Sequence, residues 1–371
     1  MKTLTLNTSN FKEILKRAKT VKPKKAIKPI LQCLFIKENN QVMVTDYYTT
    51  VIYTPSIINS EGNGIFAVNI DSLYKIVSKI KQDEFCIQLD NKAVITYGKI
   101  NITLPLSDAD DYPDTCLLQD AKNILNFNIE VKELKKMLQN VLFTACKDEM
   151  TKNLNGVLFE FSNNYFKMVT ADSYRMSLTE KNMPGIDINK QMFMPLNSLI
   201  ELNKNLKYIK KEFVTLQVYE NYINIELQEK CDYLLQMKCN DINFPNYNAV
   251  IPNSFETQIT VNRLELLEIV IAVGELTKKV GDTFKFDITQ NKIQIKTNIL
   301  DVGSFDATIN GDINGKDLLC AFDSAYIIES LKHFASKNII LSFVDASNAL
   351  QLTTYEDKDY LQIVMPVKIK Q

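Results

Sequence analysis

Groups able to carry covalent chemistry are few. His333 is the single histidine in 371 residues, so no pair of imidazoles exists to hold a metal or relay a proton. The seven cysteines (Cys33, Cys86, Cys116, Cys146, Cys231, Cys239, Cys320) are odd in number and scattered, with no C-x-x-C pair. That spacing predicts reduced, mostly buried thiols in a cytosol. The stretch Gly311-Asp312-Ile313-Asn314-Gly315-Lys316 is a poor phosphate loop: three residues instead of four separate the glycines, and Asp317 replaces the required Ser or Thr. It reads as a turn. Asp108-Ala109-Asp110-Asp111 has the carboxylate density of a cation site but lacks the Gly and closing Glu of a calcium loop, and reads as a solvated acidic loop. No nucleophile, base and orienter assemble. The expectation is a protein that is not an enzyme, with no cofactor and no metal.

The elements that position the remaining residues form a repeat. Asp71-Ser72, Asn197-Ser198 and Asp323-Ser324 each precede apolar residues at helical spacing, and the Asp or Asn positions stand 126 residues apart. They predict three helix N-caps. Val44-Thr45-Asp46 and Val169-Thr170-Ala171-Asp172 keep the same period. Turn-like pairs Asn39-Asn40, Asn163-Asn164 and Gln290-Asn291 sit between alternating runs, and a second turn family comprises Asp90-Asn91, Glu220-Asn221 and Ser347-Asn348. Each unit opens with a strand and a helix, as in Leu4 to Leu6 before Phe11, Ile14 and Leu15. The pattern strand, helix, several strands occurs twice per unit. The reading is α+β with three similar domains: 1–121, 122–253 and 254–371. At 46% apolar residues the chain can bury a core in each. The opening residues alternate as a strand and not as a signal peptide, and the most apolar run, 266–276, is too short and too acidic to span a bilayer. A cytoplasmic location is expected.

Net charge is −1, from 43 basic and 44 acidic residues, but it is unevenly spread. Residues 1–30 carry nine cations against Glu13, so this stretch is +8 and the other 341 residues are −9. Lys75 and Lys79, then Lys132, Lys135 and Lys136, then Lys204 and Lys207 fall on further predicted helices. Solvated helix faces would explain them. So would a surface facing a polyanion, with contacts blind to sequence and sensitive to salt. No aromatic residues interleave with the lysines, which disfavours a base-stacking platform.

Five segments together resemble one family. Thr170-Ala171-Asp172-Ser173-Tyr174-Arg175-Met176 resembles the T-D-G-H-R-L segment of the bacterial DNA polymerase III β subunit, the β sliding clamp family. Residues 243–252, Asn-Phe-Pro-Asn-Tyr-Asn-Ala-Val-Ile-Pro, resemble its F-P-D-Y-x-x-V-[IL]-P. Val364-Met365-Pro366-Val367-Lys368 resembles its closing V-M-P-[MV]-[RK]. Lys28-Pro29-Ile30-Leu31 and residues 154–160, Leu-Asn-Gly-Val-Leu-Phe-Glu, complete the set. Ser173-Tyr174 departs from the family's Gly-His, and Asn248-Ala249 stand where basic residues are common.

The resemblance implies a head-to-tail homodimeric ring around duplex DNA, with helices lining the hole and antiparallel sheets outside. The function implied is processivity in DNA replication: the clamp tethers the replicative polymerase, and the clamp loader and other clamp-binding proteins are further partners. The rival reading is a three-domain protein-binding scaffold that never encircles DNA. DNA contact is expected from Lys12, Lys16, Lys24, Lys25, Lys75, Lys79, Lys135, Lys136, Lys204 and Lys207. A partner-peptide pocket is expected from Leu154, Ala171, Ser173, Tyr174, Arg175 and Met176, with Pro245, Asn248, Val250, Val364, Met365, Pro366 and Val367. For the dimer interface, exposed sheet edges in the first and third domains should cover one another. The candidates are a strand over 94–104 with Ile100 and Ile102, and the region from Leu276 through Ile299 to Phe305.

Overall fold

The computed structural model describes residues 1–23, 26, 28–113, 122–148, 150–227, 232–277, 283–290, 292–299 and 303–369. Among them are six α-helices: α1 (Thr8–Val21), α2 (Ile70–Val77), α3 (Val131–Leu142), α4 (Leu196–Leu206), α5 (Arg263–Thr277) and α6 (Ser324–Lys332). Two helices per predicted repeat is the number the sequence pattern requires.

A shared entry geometry supports the repeat. The first amide of α1 donates from Thr8 to the carbonyl of Asp83 at 2.8 Å, that of α3 from Val131 to Glu212 at 2.8 Å, and that of α5 from Arg263 to Lys337 at 2.9 Å. Each acceptor immediately precedes a strand: Glu84–Leu89, Phe213–Tyr219 and Asn338–Phe343. Each of those strands pairs antiparallel with the strand that feeds the helix, so one amide that the helix leaves orphaned is satisfied by the sheet.

The caps depart from expectation. Asn69, not Asp71, caps α2, its Oδ1 accepting from the Ser72 amide at 3.0 Å. Asp71 sits in the first turn and binds Lys22 at 2.8 Å. Helix α4 already begins at Leu196, which puts Asn197 inside it. In both cases a strand runs straight into a helix whose first residue, Ile70 or Leu196, is buried; packing of that residue starts the helix earlier than the polar signal suggests. Asp323 does cap α6, accepting from the Ala325 amide at 2.8 Å.

The chain forms two compact units. One comprises Met1–Lys135 and Asn197–Asn240, the other Lys136–Leu196 and Asp241–Gln371. The first contains a 13-stranded antiparallel sheet in which Thr49–Thr54 pairs with Asp232–Lys238, Thr49 lying opposite Met237. Its first helix is fixed by Arg17, a buried side chain that donates to Asn205 Oδ1 at 3.2 Å and Tyr233 Oη at 3.0 Å and pairs with Glu13 at 3.0 Å.

The second unit holds a nine-stranded and a four-stranded sheet. In the former, Arg175–Asn182 pairs with Tyr360–Val364, with Arg175 opposite Val364. Its main core gathers Leu266, Val270, Phe286, Ile327 and Leu341, all at most 1% exposed, beneath α5 and α6.

The strand expected over 94–104 is a hairpin. Lys92–Tyr97 pairs with Ile100–Ser107, and the turn between them uses Gly98 at φ 57°, a left-handed conformation that glycine adopts without a Cβ penalty. Beyond the hairpin, Ile100–Ser107 pairs on its other side through Leu106 and Ser107 alone. In the second unit, Gly303–Ile309 is one of the two edge strands of the four-stranded sheet, Leu318–Asp323 being the other.

Candidate functional site

In the second unit a tight turn and the last strand meet. Asp172 closes the turn between Tyr165–Ala171 and Arg175–Asn182, its Oδ1 accepting from the amides of Tyr174 (3.2 Å) and Arg175 (3.1 Å). Ser173 takes φ 77°, and the Asp172 bonds to the two amides that follow it hold that uncommon conformation. Past the end of the last strand, the Met365 amide donates to the Tyr174 carbonyl at 2.8 Å, and the Val367 amide to Ala321 at 2.8 Å. Pro366 has no amide to donate, so the tail leaves the ladder and its side chains are free of regular pairing.

Beneath this edge lies an apolar cluster that includes Leu158, Val169, Met176, Tyr247, Ala349 and Ile363. Tyr247 anchors the single-turn helix Tyr247–Val250 and donates to Glu160 at 3.2 Å. Burial, reinforced by the Glu160 charge, pushes its hydroxyl up to about 12, so it is a donor at neutral pH.

Beside the cluster is an open cleft of about 440 Å³. It is lined by the segment 249–254, by the loop carrying Val344, Ser347 and Ala349, and by Met365. No charged residue lines it among the described residues. Asp345 fixes the loop from outside: its carboxylate accepts from the amides of Ser347 (2.7 Å) and Asn348 (2.9 Å) and from both side chains at 2.8 Å. These bonds hold it down to about 2.

At the Tyr174 side stands Arg175. Its Nε bonds Asp172 Oδ2 at 2.8 Å, and another guanidinium nitrogen pairs with Glu329 on α6. The guanidinium also lies 4.7 Å from the Tyr326 ring centroid and 5.6 Å from that of Phe143. Burial opposes its charge, but the two carboxylates outweigh burial and hold it above its usual value. Tyr174 and Tyr326 stack at 5.8 Å. His333, at the C-terminal cap of α6, stacks on Phe143 at 3.6 Å and contacts the Glu329 carbonyl through Nδ1 at 2.8 Å. Burial, first among its causes, lowers the imidazole from its usual value. It is a packed side chain at a helix end.

The expected pocket residues therefore separate into layers. Val250 and Met365 line the cleft, 44% and 38% exposed. Pro245, Asn248 and Val367 are exposed nearby in the chain, and Pro366 is half-buried. Met176 and Val364 are buried beneath, and Ala171 packs on the cluster. Ser173, Tyr174 and Arg175 form the turn and its brace. Leu154 is buried at the turn before Gly156–Ser162 and belongs to neither the cleft lining nor the cluster. Sequence reasoning missed Asn253 and Ser254 on one side and Val344, Ser347 and Ala349 on the other; the Ser347-Asn348 turn signal pointed to the second loop but not to its place. It also missed Asp172, Glu329 and Tyr326 as partners of Arg175.

The basic positions divide too. Lys16, Lys75, Lys79, Lys204 and Lys207 are exposed. Half-buried Lys12 donates to the Ile80 carbonyl at 2.5 Å, and with Lys79 and Lys81 it borders a cleft of about 480 Å³ at the start of α1. Lys135 is half-buried; Lys136 pairs with Asp357 at 2.8 Å, and Lys204 lies 3.8 Å from Glu201. Lys24 and Lys25 lie outside the described residues. Three cations of the basic N-terminal stretch serve the fold: Arg17, as above; Lys22; and fully buried Lys2, which donates to the carbonyls of Lys37 and Glu38 at 2.7 and 2.9 Å. At the sheet edges, Ile100 is 47% exposed and Ile102 half-buried. Leu276 is half-buried on α5, and Ile299 half-buried on the strand next to the edge.

Comparison with known proteins identifies the family and the fold. A family model for the central domain of the DNA polymerase III beta subunit matches residues 128–246, and one for its C-terminal domain matches 248–368. The beta sliding clamp of Streptococcus pneumoniae serotype 4 is 28% identical over 316 residues, covering 82% of this chain and 78% of that one. That of Chlamydia muridarum is 22% identical and covers 98% of each. The crystal structure of the beta subunit from Thermotoga maritima superposes with a TM-score of 0.88 at 26% identity over all of both chains. A sliding clamp from Bartonella birtlesii bound to griselimycin shares the fold, with a TM-score of 0.86 at 22% identity.

Proposed function

The chain belongs to the DNA polymerase III beta subunit family and has its sliding-clamp function, and from that premise we propose how this molecule carries it out. Two copies join head to tail into a ring around duplex DNA. The ring tethers a replicative polymerase and is placed on DNA by a loader. Three domains, 1–121, 122–253 and 254–371, make up each subunit. The protein performs no catalysis and works in the cytoplasm; Cys33, Cys86, Cys146 and Cys320 are free thiols, as a reducing compartment favours.

Partners dock through an extended peptide in the uncharged cleft between Val250 and Met365. The observation that carries this reading is the end of the chain. Met365 is held to the Tyr174 carbonyl while it lines an open, uncharged cleft that mixes Val250, Ile251 and Val344 with Asn253, Ser254 and Ser347. A flexible thioether there adapts to differing apolar side chains. A contact of this size supports micromolar affinity, so many partners exchange on one site.

Duplex DNA is contacted through exposed lysines such as Lys16, Lys75, Lys79 and Lys207. Contacts of this kind are sequence-blind, which suits a ring that slides. The dimer forms between the Ile100–Ser107 edge of one subunit and the Gly303–Ile309 edge of the other. A heterologous contact of two internally repeated chains can close into a two-member ring.

The test combines topology and binding. Protein loaded on nicked circular DNA should remain bound and should leave after linearisation. Deleting residues 365–371 should abolish binding of a peptide carrying one Gln and two bulky apolar side chains, with the circular dichroism spectrum unchanged. Equal retention on linear and circular DNA would overturn the ring. Full peptide binding by the truncation would overturn the groove.

A further inference from the structure

We infer that the groove selects partner peptides carrying a basic residue beside their apolar anchors, seated on the exposed face of Tyr174. The inference rests on the peptide-groove reading above and adds to it the charge of the occupant.

Three observations carry it. First, the cleft is uncharged, so apolar anchoring there is indifferent to the sign of flanking charge. Second, the one guanidinium at the adjoining Tyr174 side is already engaged. Arg175 is held by Asp172 and Glu329 together and is enclosed by the Phe143 and Tyr326 rings. A peptide carboxylate arriving there would have to displace one of these carboxylates to gain a partner. Third, the surface it would meet is aromatic and acidic. Tyr174 is 59% exposed and stacked on Tyr326. Tyr326 lies in the first turn of α6, next to the cap residue Asp323 and one turn before Glu329. Its hydroxyl is raised first by burial and then by the charges of Asp172 and Asp323, against the lowering effect of Arg175. The nearest cation along α6 is Lys332, one turn beyond Glu329.

The two subsites are continuous. Met365 lines the cleft and bonds the Tyr174 carbonyl with its amide. In this proposal a peptide in the cleft runs past Met365 onto the exposed Tyr174 ring. A cation over that ring gains from the ring quadrupole, and the surrounding carboxylates add to it.

The experiment uses three fluorescent peptides with the same Gln and apolar anchors and either Arg, Ala or Glu beside them. The full-length protein is titrated at low and high salt. The Arg peptide should bind about two- to five-fold tighter than the Ala peptide, the Glu peptide more weakly than either, with the spread narrowing at high salt. Tyr174→Ala should remove the preference for Arg, and Tyr174→Phe should keep it. Equal binding by all three, or a preference for Glu, overturns this inference and leaves the groove standing. Failure of all three to bind overturns the groove and this inference together.

Discussion

The Met365 amide donates to the Tyr174 carbonyl at 2.8 Å in the second unit, and the Lys238 amide donates to the Tyr48 carbonyl at 2.8 Å in the first. Each acceptor follows an aspartate that caps its own turn: Asp172 accepts from Tyr174 and Arg175, and Asp46 from Tyr48 and Thr49. The left-handed residue between is Ser173 in one and Tyr47 in the other. One junction has thus been built twice. In the first unit the apolar space is filled from within, because Phe35 and Tyr112 stack at 4.5 Å in the cluster that includes Met43 and Tyr47. In the second unit an open cleft remains.

Removing the Arg175 brace should loosen the turn. The side chain is 10% exposed and holds two carboxylates, so Arg175→Ala leaves Asp172 and Glu329 without their shared partner. The expected loss is about 3 kcal/mol, measured as a shift of the urea midpoint. Glu329→Gln, which keeps the Asp172 pair and alters an exposed carboxylate, should cost under about 1 kcal/mol.

His333 makes stability depend on pH. Burial lowers its folded pKa, so the unfolded chain binds a proton more readily than the folded one. Stability from this residue is present at neutral pH and falls as pH drops through the unfolded value of about 6.5. The urea midpoint should therefore decline between about pH 7 and pH 5.5. In His333→Gln that part of the decline should be absent.

The proposed dimer has a simple mass test. Replacing Ile100 and Ile102 together by Lys should give monomers at low micromolar concentration in sedimentation. Their circular dichroism should match the parent, because Ile100 is exposed and Ile102 only half-buried. A variant that stays dimeric removes this edge from the interface.

DNA binding should follow the lysines that no salt bridge occupies. Changing Lys16, Lys75 and Lys79 to Ser should weaken binding to all sequences alike. It should reduce the slope of log affinity against log salt by roughly 0.9 for each phosphate left without its lysine. Lys136→Ser, which removes a partner of Asp357, should change the slope less.

Fold class and repeat were legible because they rest on local signals: alternation, apolar spacing and turn pairs such as Asn163-Asn164, whose residues take φ 49° and 65°. The helix starts were less so. Asp71 and Asn197 look like caps, yet burial of Ile70 and Leu196 decides where each helix begins. Two residues named through the family resemblance, Val250 and Met365, line one cleft. The partners of Arg175 were not legible. Phe143, Asp172, Tyr326 and Glu329 are ordinary residues spread over nearly half the chain, and only long-range packing brings them to one guanidinium. Charge counting also misjudged Lys2, which sits on the inward face of an alternating strand and donates from its ammonium to two carbonyls.

The sheets carry a consequence for dissecting the molecule. Asp232–Lys238 is hydrogen-bonded to Thr49–Thr54, and Arg175–Asn182 to Tyr360–Val364, so the middle third of the chain gives a strand to each neighbour. Cutting at residues 121 and 253 would strip the partner from both strands. The fragment 122–253 would expose two raw rows of amides and carbonyls, each a template for misfolded self-association. Expressed alone, it should accumulate as insoluble polymer.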